Sequence, residues 1–380
     1  MSTAKPIKHH RIAVGAVFFL YGMCFASWAA RIPSIQQKLQ LTDAALGGVL
    51  FALPVGAFVA LPIAGWMVAK TGSRWVVMIS SLLYGSILVG IGYSASVAQL
   101  TVALFGFGML GNMLNIAVNT QAVGVEAVYQ KNIMASFHGM WSLAGFGGAA
   151  LGTLMIGIEV IPAHHYILVW ILTILLLLVS FRFLLIRDTD TDGDKPLFSW
   201  PDKSLLIYGV IAFCSMMCEG AMFDWSGVYF KKVLQVDKAL IGVGYTAFMI
   251  TMAGTRFVAD GLTQRFGLRR ILQFSGLLTA LGLLLSVIFP SFITATIGFL
   301  LVGIGVSSVV PLVFSAAGKS KTMSPGIALA SVSSLGFLGF LIGPPLIGFI
   351  AEVSNLRTSF LFIAFMGICV VYFSTTKVKE

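Results

Sequence analysis

Long apolar runs alternate with short polar or Gly/Pro-containing breaks from one end of the chain to the other. The runs fall at 12–32, 44–69, 75–95, 98–126, 133–158, 165–186, 205–230, 239–263, 270–289, 291–316, 326–351 and 357–375. A helix crosses a ~30 Å hydrocarbon core in ~20 residues, so each run predicts one spanning helix. Runs longer than that predict tilt or protrusion. Only one break is long, the segment 187–203, and it separates two sets of six spans. The pattern predicts an all-α membrane protein with an N-terminal six-helix bundle (1–186), a cytoplasmic linker (187–203) and a C-terminal six-helix bundle (204–380). The basic stretch before Ile12 looks like the start of a secretory signal. The run behind it is long enough to span and has no good cleavage site, so it is expected to stay as span 1.

Composition removes the main alternatives. Of 380 residues, 58% are hydrophobic and only 10% charged, with mean hydropathy +0.96. A soluble chain carries roughly 25% charge, which argues against a soluble enzyme or a nucleic-acid-binding protein. The formal charge of +10 follows from loop placement. With the N-terminus in the cytoplasm, most Lys and Arg fall on that side, among them Lys8, Arg74, Lys131, Arg187, Arg265 and Lys377. That bias is the positive-inside rule and puts both termini in the cytoplasm. The partner implied is a lipid bilayer. Cys24, Cys214, Cys218 and Cys369 all lie in apolar segments and read as packing residues. Cys214 and Cys218 are one helical turn apart, a poor geometry for a disulfide.

The two halves resemble each other. Phe25-Ala26-Ser27-Trp28 in span 1 answers to Met222-Phe223-Asp224-Trp225 in span 7, an offset of 197. Lys70-Thr71-Gly72-Ser73-Arg74 after span 2 answers to Arg265-Phe266-Gly267-Leu268-Arg269 after span 8, an offset of 195. Two nearly equal offsets indicate duplicated units, an architecture used by transporters with a site near the midplane.

On these segments the chain resembles the major facilitator superfamily. Gly65 to Arg74 match that superfamily's loop signature, with Ala69 where an aspartate is usual. Ala26 to Pro33, Ser136-Phe137-His138-Gly139, Glu219 to Trp225 and Ile342 to Gly348 are similar to a bacterial YbjJ-type branch related to fucose-permease-like carriers. The resemblance implies twelve helices in two pseudo-symmetric bundles, alternating access by rocking, proton coupling, and a place in the bacterial inner (plasma) membrane. It also implies that spans 1, 4, 7 and 10 line the cavity.

Ionisable groups inside a span suggest function. Glu219 lies past the middle of span 7, and a carboxyl there can take and release a proton as its exposure changes. It is the first candidate for proton coupling, against a fixed hydrogen bond to a neighbouring helix. Asp224 and Arg31 stand at corresponding depths near the outer ends of spans 7 and 1. They read either as an outer gate or as permanent anchors, Asp224 being also a candidate for proton coupling, with Trp28 and Trp225 lining the cavity or sitting in an aromatic belt. Asn112, Asn115 and Asn119 share one face of span 4 and either meet a polar substrate or hold span 4 to its neighbours. Arg256 and Asp260 form an i,i+4 pair in span 8. They either neutralise each other or build an inner gate with Arg74, Glu126, Arg265 and Arg269. His138 opens span 5 as a packing residue or a proton relay.

Two other signals are weak. Asp188 to Asp194 resembles half a calcium loop, but Ser199 stands where the closing glutamate belongs. Gly318-Lys319-Ser320 resembles the end of a phosphate loop, but Val313 replaces its first glycine. No nucleophile elbow, HExxH or Rossmann pattern is present. The expectation is therefore a secondary transporter of a small organic solute, not an enzyme, monomeric and without a cofactor. Its energy would come from protons, with a lean to export from the resemblance. Uptake of a sugar-like solute and a non-transporting membrane sensor are the alternatives.

Overall fold

A computed structural model describes residues 7–129, 133–186, 205–318, 325–376 and 378. The predicted linker 187–203, with its acidic stretch 188–194, lies outside the described residues, as do Lys131 and residues 319–320. Of Asp260 only the helical backbone is described. Among the described residues there are fourteen α-helices, one short 3-10 turn at Lys238–Leu240, and no strand.

The helices are α1 (Ile7–Lys38), α2 (Asp43–Leu50), α3 (Ala52–Thr71), α4 (Ser73–Tyr93), α5 (Val97–Tyr129), α6 (Met134–Gly157) and α7 (Pro162–Phe181). The rest are α8 (Leu206–Lys232), α9 (Val243–Phe266), α10 (Leu268–Ile288), α11 (Phe292–Val306), α12 (Val309–Gly318), α13 (Pro325–Val353) and α14 (Leu356–Thr376). Eleven stretches are long and apolar enough to cross a membrane, with α2–α3 and α11–α12 each counting as one. The 24-residue α9 is the twelfth; it is long enough but carries Arg256, Asp260 and Arg265. Each predicted span has its helix.

The chain forms two compact units. Unit 1 holds Met1–Leu39 and Ala52–Gly193; unit 2 holds Gln40–Phe51 and Asp194–Glu380. In unit 1, α1 packs on α6 and α7, α3 on α5, and α4 on α5 and α7. In unit 2 the pairing repeats: α8 packs on α13 and α14, α9 on α11, and α10 on α11 and α14. Unit 2 also takes α2, the first part of predicted span 2, which lies on α13. The reason is small residues. A Cβ on Gly47 would meet the backbone of Pro344 and Gly348, so the two helices touch main chain to main chain.

The duplication read from two sequence segments extends to the backbone. Gly72 (φ 81°) and Gly267 (φ 83°), at the α3–α4 and α9–α10 junctions, adopt the same left-handed conformation. Glycine is the residue that enters that region without a Cβ penalty. Gln40 (φ 52°) and Gln235 (φ 51°) repeat at the same offset after α1 and α8. Gly108 of α5 crosses α3 where a Cβ would collide with the carbonyl of Leu53. Gly303 of α11 crosses α9 where it would collide with the carbonyl of Phe248. Both members of that contact are displaced by 195 residues.

One element breaks the repeat. In unit 1, α5 runs unbroken for 33 residues. In unit 2 the matching span is cut into α11 and α12 at Ser307-Ser308. Pro311 is the cause: it has no N–H to return to the carbonyl four residues earlier, which is that of Ser307. Its counterpart in α5 is Ile116, which has one.

Candidate functional site

The break in unit 2 is where a buried carboxylate meets a half-buried guanidinium. Arg256, in the middle of α9, donates through Nε to the carbonyl of Ser307 at 3.3 Å. The same guanidinium donates through Nη2 to Glu219 Oε1, in the middle of α8, at 3.2 Å. Glu219 is 7% exposed. One planar cation thus joins three helical segments, using a fork of donors that a lysine lacks. With Pro311 lacking an N–H, the carbonyl of Ser307 needs another partner at membrane depth, and Arg256 supplies one. Protonation of Glu219 would remove this ion pair from Arg256.

In the repeat, this cluster belongs to unit 2 alone. In unit 1, Arg256 answers to Leu61 and Glu219 to Gly22 by the offset of 197 or Cys24 by that of 195, none of them charged. The position of Ser307 is Asn112, whose Nδ2 donates to the carbonyl of Ala57 on α3 at 2.6 Å. Both halves therefore make a polar link at this position of the repeat, neutral in unit 1 and charged in unit 2.

The other predicted residues are placed as follows. Asn115 and Asn119 bond each other, Nδ2 of Asn119 to Oδ1 of Asn115 at 2.9 Å, and both are half-buried on α5 with Asn112. Trp28 and Trp225 are 1% and 0% exposed, so neither indole faces an interfacial belt. Arg31, on α1, is 2% exposed and donates through Nε to His165 Nδ1 of α7 at 3.3 Å and through Nη2 to the carbonyl of Val160. Asp224 belongs to the other unit, where it is half-buried on α8 and interacts electrostatically with the phenol of Tyr245 on α9. Arg74 donates to the carbonyl of Phe181 at 3.1 Å and lies over that ring. Glu126 accepts from the N–H of Ile133 at 2.6 Å, just ahead of α6. His138 is exposed on α6, its ring edge-on to Phe18 at 5.3 Å. The structure therefore joins Glu219 to Arg256, which the sequence leaves in separate groups.

Several polar links carry little or no signal in the sequence. Pro311 inside an apolar span is a readable sign of the break at Ser307. Nothing local marks His165 or Tyr166 as neighbours of Arg31. Gln121 is 0% exposed and holds Ser73 Oγ at 2.6 Å, and its amide also grips both main-chain groups of Leu185. At the far end of α8, Lys232 pairs with Asp43 of α2 at 2.7 Å, and Glu352 of α13 accepts from the N–H of Ala44 at 3.3 Å.

Known proteins agree with this architecture. An uncharacterized MFS-type transporter of Yersinia pestis is 32% identical over 356 residues, covering 94% of this chain and 92% of its own length. The cis,cis-muconate transport protein of Acinetobacter baylyi is 25% identical over 329 residues, covering 78% and 76%. The crystal structure of a point mutant of the nucleoside transporter NupG superposes with a TM-score of 0.80 at 13% identity, covering 97% of this chain and all of that one. The model of the Major Facilitator Superfamily matches residues 14–244 and 205–380. With its paired six-span units, the chain belongs to the major facilitator superfamily and is a multi-pass membrane transporter of small solutes.

Proposed function

We propose that the chain couples protons to the movement of a small organic anion, and that Glu219 and Arg256 are where the coupling resides. The observation that carries this reading is the 3.2 Å contact between them at the broken span. While Glu219 is ionised, Arg256 is compensated and an anionic solute gains little there. Once Glu219 is protonated, its ion pair with Arg256 is gone, and a solute carboxylate can take that place beside the guanidinium. Proton and anion then bind together. That sign of coupling is symport, and an inward proton gradient would drive uptake, in place of the export lean drawn from resemblance. The relative named as a muconate transport protein supports a carboxylate as the cargo. The positive-inside bias supports cytoplasmic termini in a plasma membrane.

A binding experiment tests the reading. Thermal stabilisation of purified protein by cis,cis-muconate and by aromatic monocarboxylates is measured as pH is lowered over the range in which these acids stay ionised. Stabilisation should strengthen toward lower pH in the wild type and become independent of pH in Glu219→Gln. Equal pH dependence in both proteins would remove Glu219 from the coupling.

A further inference from the structure

A buried cation in unit 1 has surroundings of a different kind. Arg31 is 2% exposed, and its two hydrogen-bond partners are neutral: His165 Nδ1 and the carbonyl of Val160. Within unit 1, no carboxylate among the described residues stands within ion-pair distance of it. Glu159, next to Val160, is exposed.

The polarity of the neighbours is one-sided. An arginine Nε can only donate, so His165 Nδ1 is the acceptor and the neutral ring carries its proton on Nε2. That Nε2 is buried without a hydrogen-bond partner, and so is the hydroxyl of the adjacent Tyr166, whose ring lies 5.5 Å from that of His165. Both residues are 0% exposed. Ser27 and Trp28 stand four and three residues before Arg31, on the same face of α1. The Ser27 hydroxyl and the Trp28 indole N–H are likewise buried and unpartnered. An imidazole N–H and a phenol thus lie beside one full positive charge, an indole N–H and a serine hydroxyl lie one turn before it on α1, and every one of them can donate.

Such a set is complementary to one acceptor with a negative charge. We infer that the Arg31–His165–Tyr166 cluster binds a small monovalent anion, held by the guanidinium and by the donors of α1 and α7. The same chemistry is offered by a free halide and by a carboxylate. Full burial of the lining favours the smaller of them, chloride. The site is separate in sequence and unit from Glu219 and Arg256, so it stands whether or not that pair couples protons.

The test is anion-dependent stability and binding on purified full-length protein in detergent, at constant ionic strength. One arm replaces gluconate with chloride or bromide; the other replaces it with formate or acetate. Radiolabelled chloride at equilibrium gives the stoichiometry. The wild type should gain melting temperature in a saturable manner and bind one chloride per chain. Tyr166→Phe, which removes only a hydroxyl, should weaken the affinity several-fold. Arg31→Gln should abolish the response and be no less stable than wild type in gluconate, since it removes a buried charge with no counter-ion among the described residues of unit 1. Saturable stabilisation by formate or acetate without chloride would support the anion site and assign it to a carboxylate. A melting temperature indifferent to every anion, or an unchanged response in Arg31→Gln, would overturn the inference.

Discussion

The carbonyl of Ser307 and the Nε of Arg256 are 3.3 Å apart because Pro311 cannot supply the N–H that would otherwise close the helical turn at Ser307. A single ring in the sequence thus opens a span, exposes an acceptor and fixes the arginine that also holds Glu219. The same span in unit 1 has Ile116 and stays closed.

Replacing the proline should reverse that chain of effects. Pro311→Ala restores a donor to the Ser307 carbonyl, so the span becomes continuous and Arg256 loses an anchor. The variant should be as stable as the wild type or more so, yet transport more slowly. Melting temperature and initial transport rate, measured on one preparation, check this. A variant with unchanged rate would show that the break is incidental.

Glycine crossings should be intolerant at both repeat positions. A Cβ at Gly108 or Gly303 meets main chain, which cannot rotate away. Gly108→Ala and Gly303→Ala should each destabilise by about 1–3 kcal/mol, the usual cost of overpacking. Gly90 and Gly254 have open space at the same atom. Alanine there should be neutral or gain up to ~1 kcal/mol from helix propensity. Thermal melts of the four variants separate these outcomes.

The Lys232–Asp43 pair is partly exposed, 39% and 15% for the two side chains. Pairs in that setting are worth about 0.2–1 kcal/mol. A double-mutant cycle with Asp43→Asn and Lys232→Gln should give a coupling energy in that range, and high salt should shrink it. A larger, salt-independent value would mean the pair is desolvated in the membrane-embedded protein.

Much of this is legible in the chain. Apolar runs longer than ~20 residues have one solution in a bilayer, the closed helix, because only that form satisfies its own backbone. Hence the twelve spans can be read directly, and two short motifs reveal the repeat that Gly72 and Gly267 show again in φ. Side-chain partners are less accessible. Helical spacing shows which residues share a face, so it groups Arg256 with Asp260, four residues on. The contact of Arg256 with Glu219 depends on how α8 and α9 pack, information that resides in no local window. The seating of α2 on α13 is hidden for the same reason: it rests on Gly47 meeting Gly348, about 300 residues apart. Trp28 and Trp225 show a related limit, since an indole near a helix end fits an interface and a core equally well until burial is known.

In the proposed mechanism Glu219 carries the proton and Arg256 the anion. Proteoliposomes containing a pH dye test that division of roles directly. Carboxylic acids, cis,cis-muconate among them, and matched uncharged sugars are added in turn to wild type and Glu219→Gln. Carboxylates should move protons with the wild type and none with Glu219→Gln, while the variant still exchanges labelled carboxylate across the membrane. Proton movement that survives in Glu219→Gln, or that follows uncharged sugars alone, would refute the assignment of these two residues.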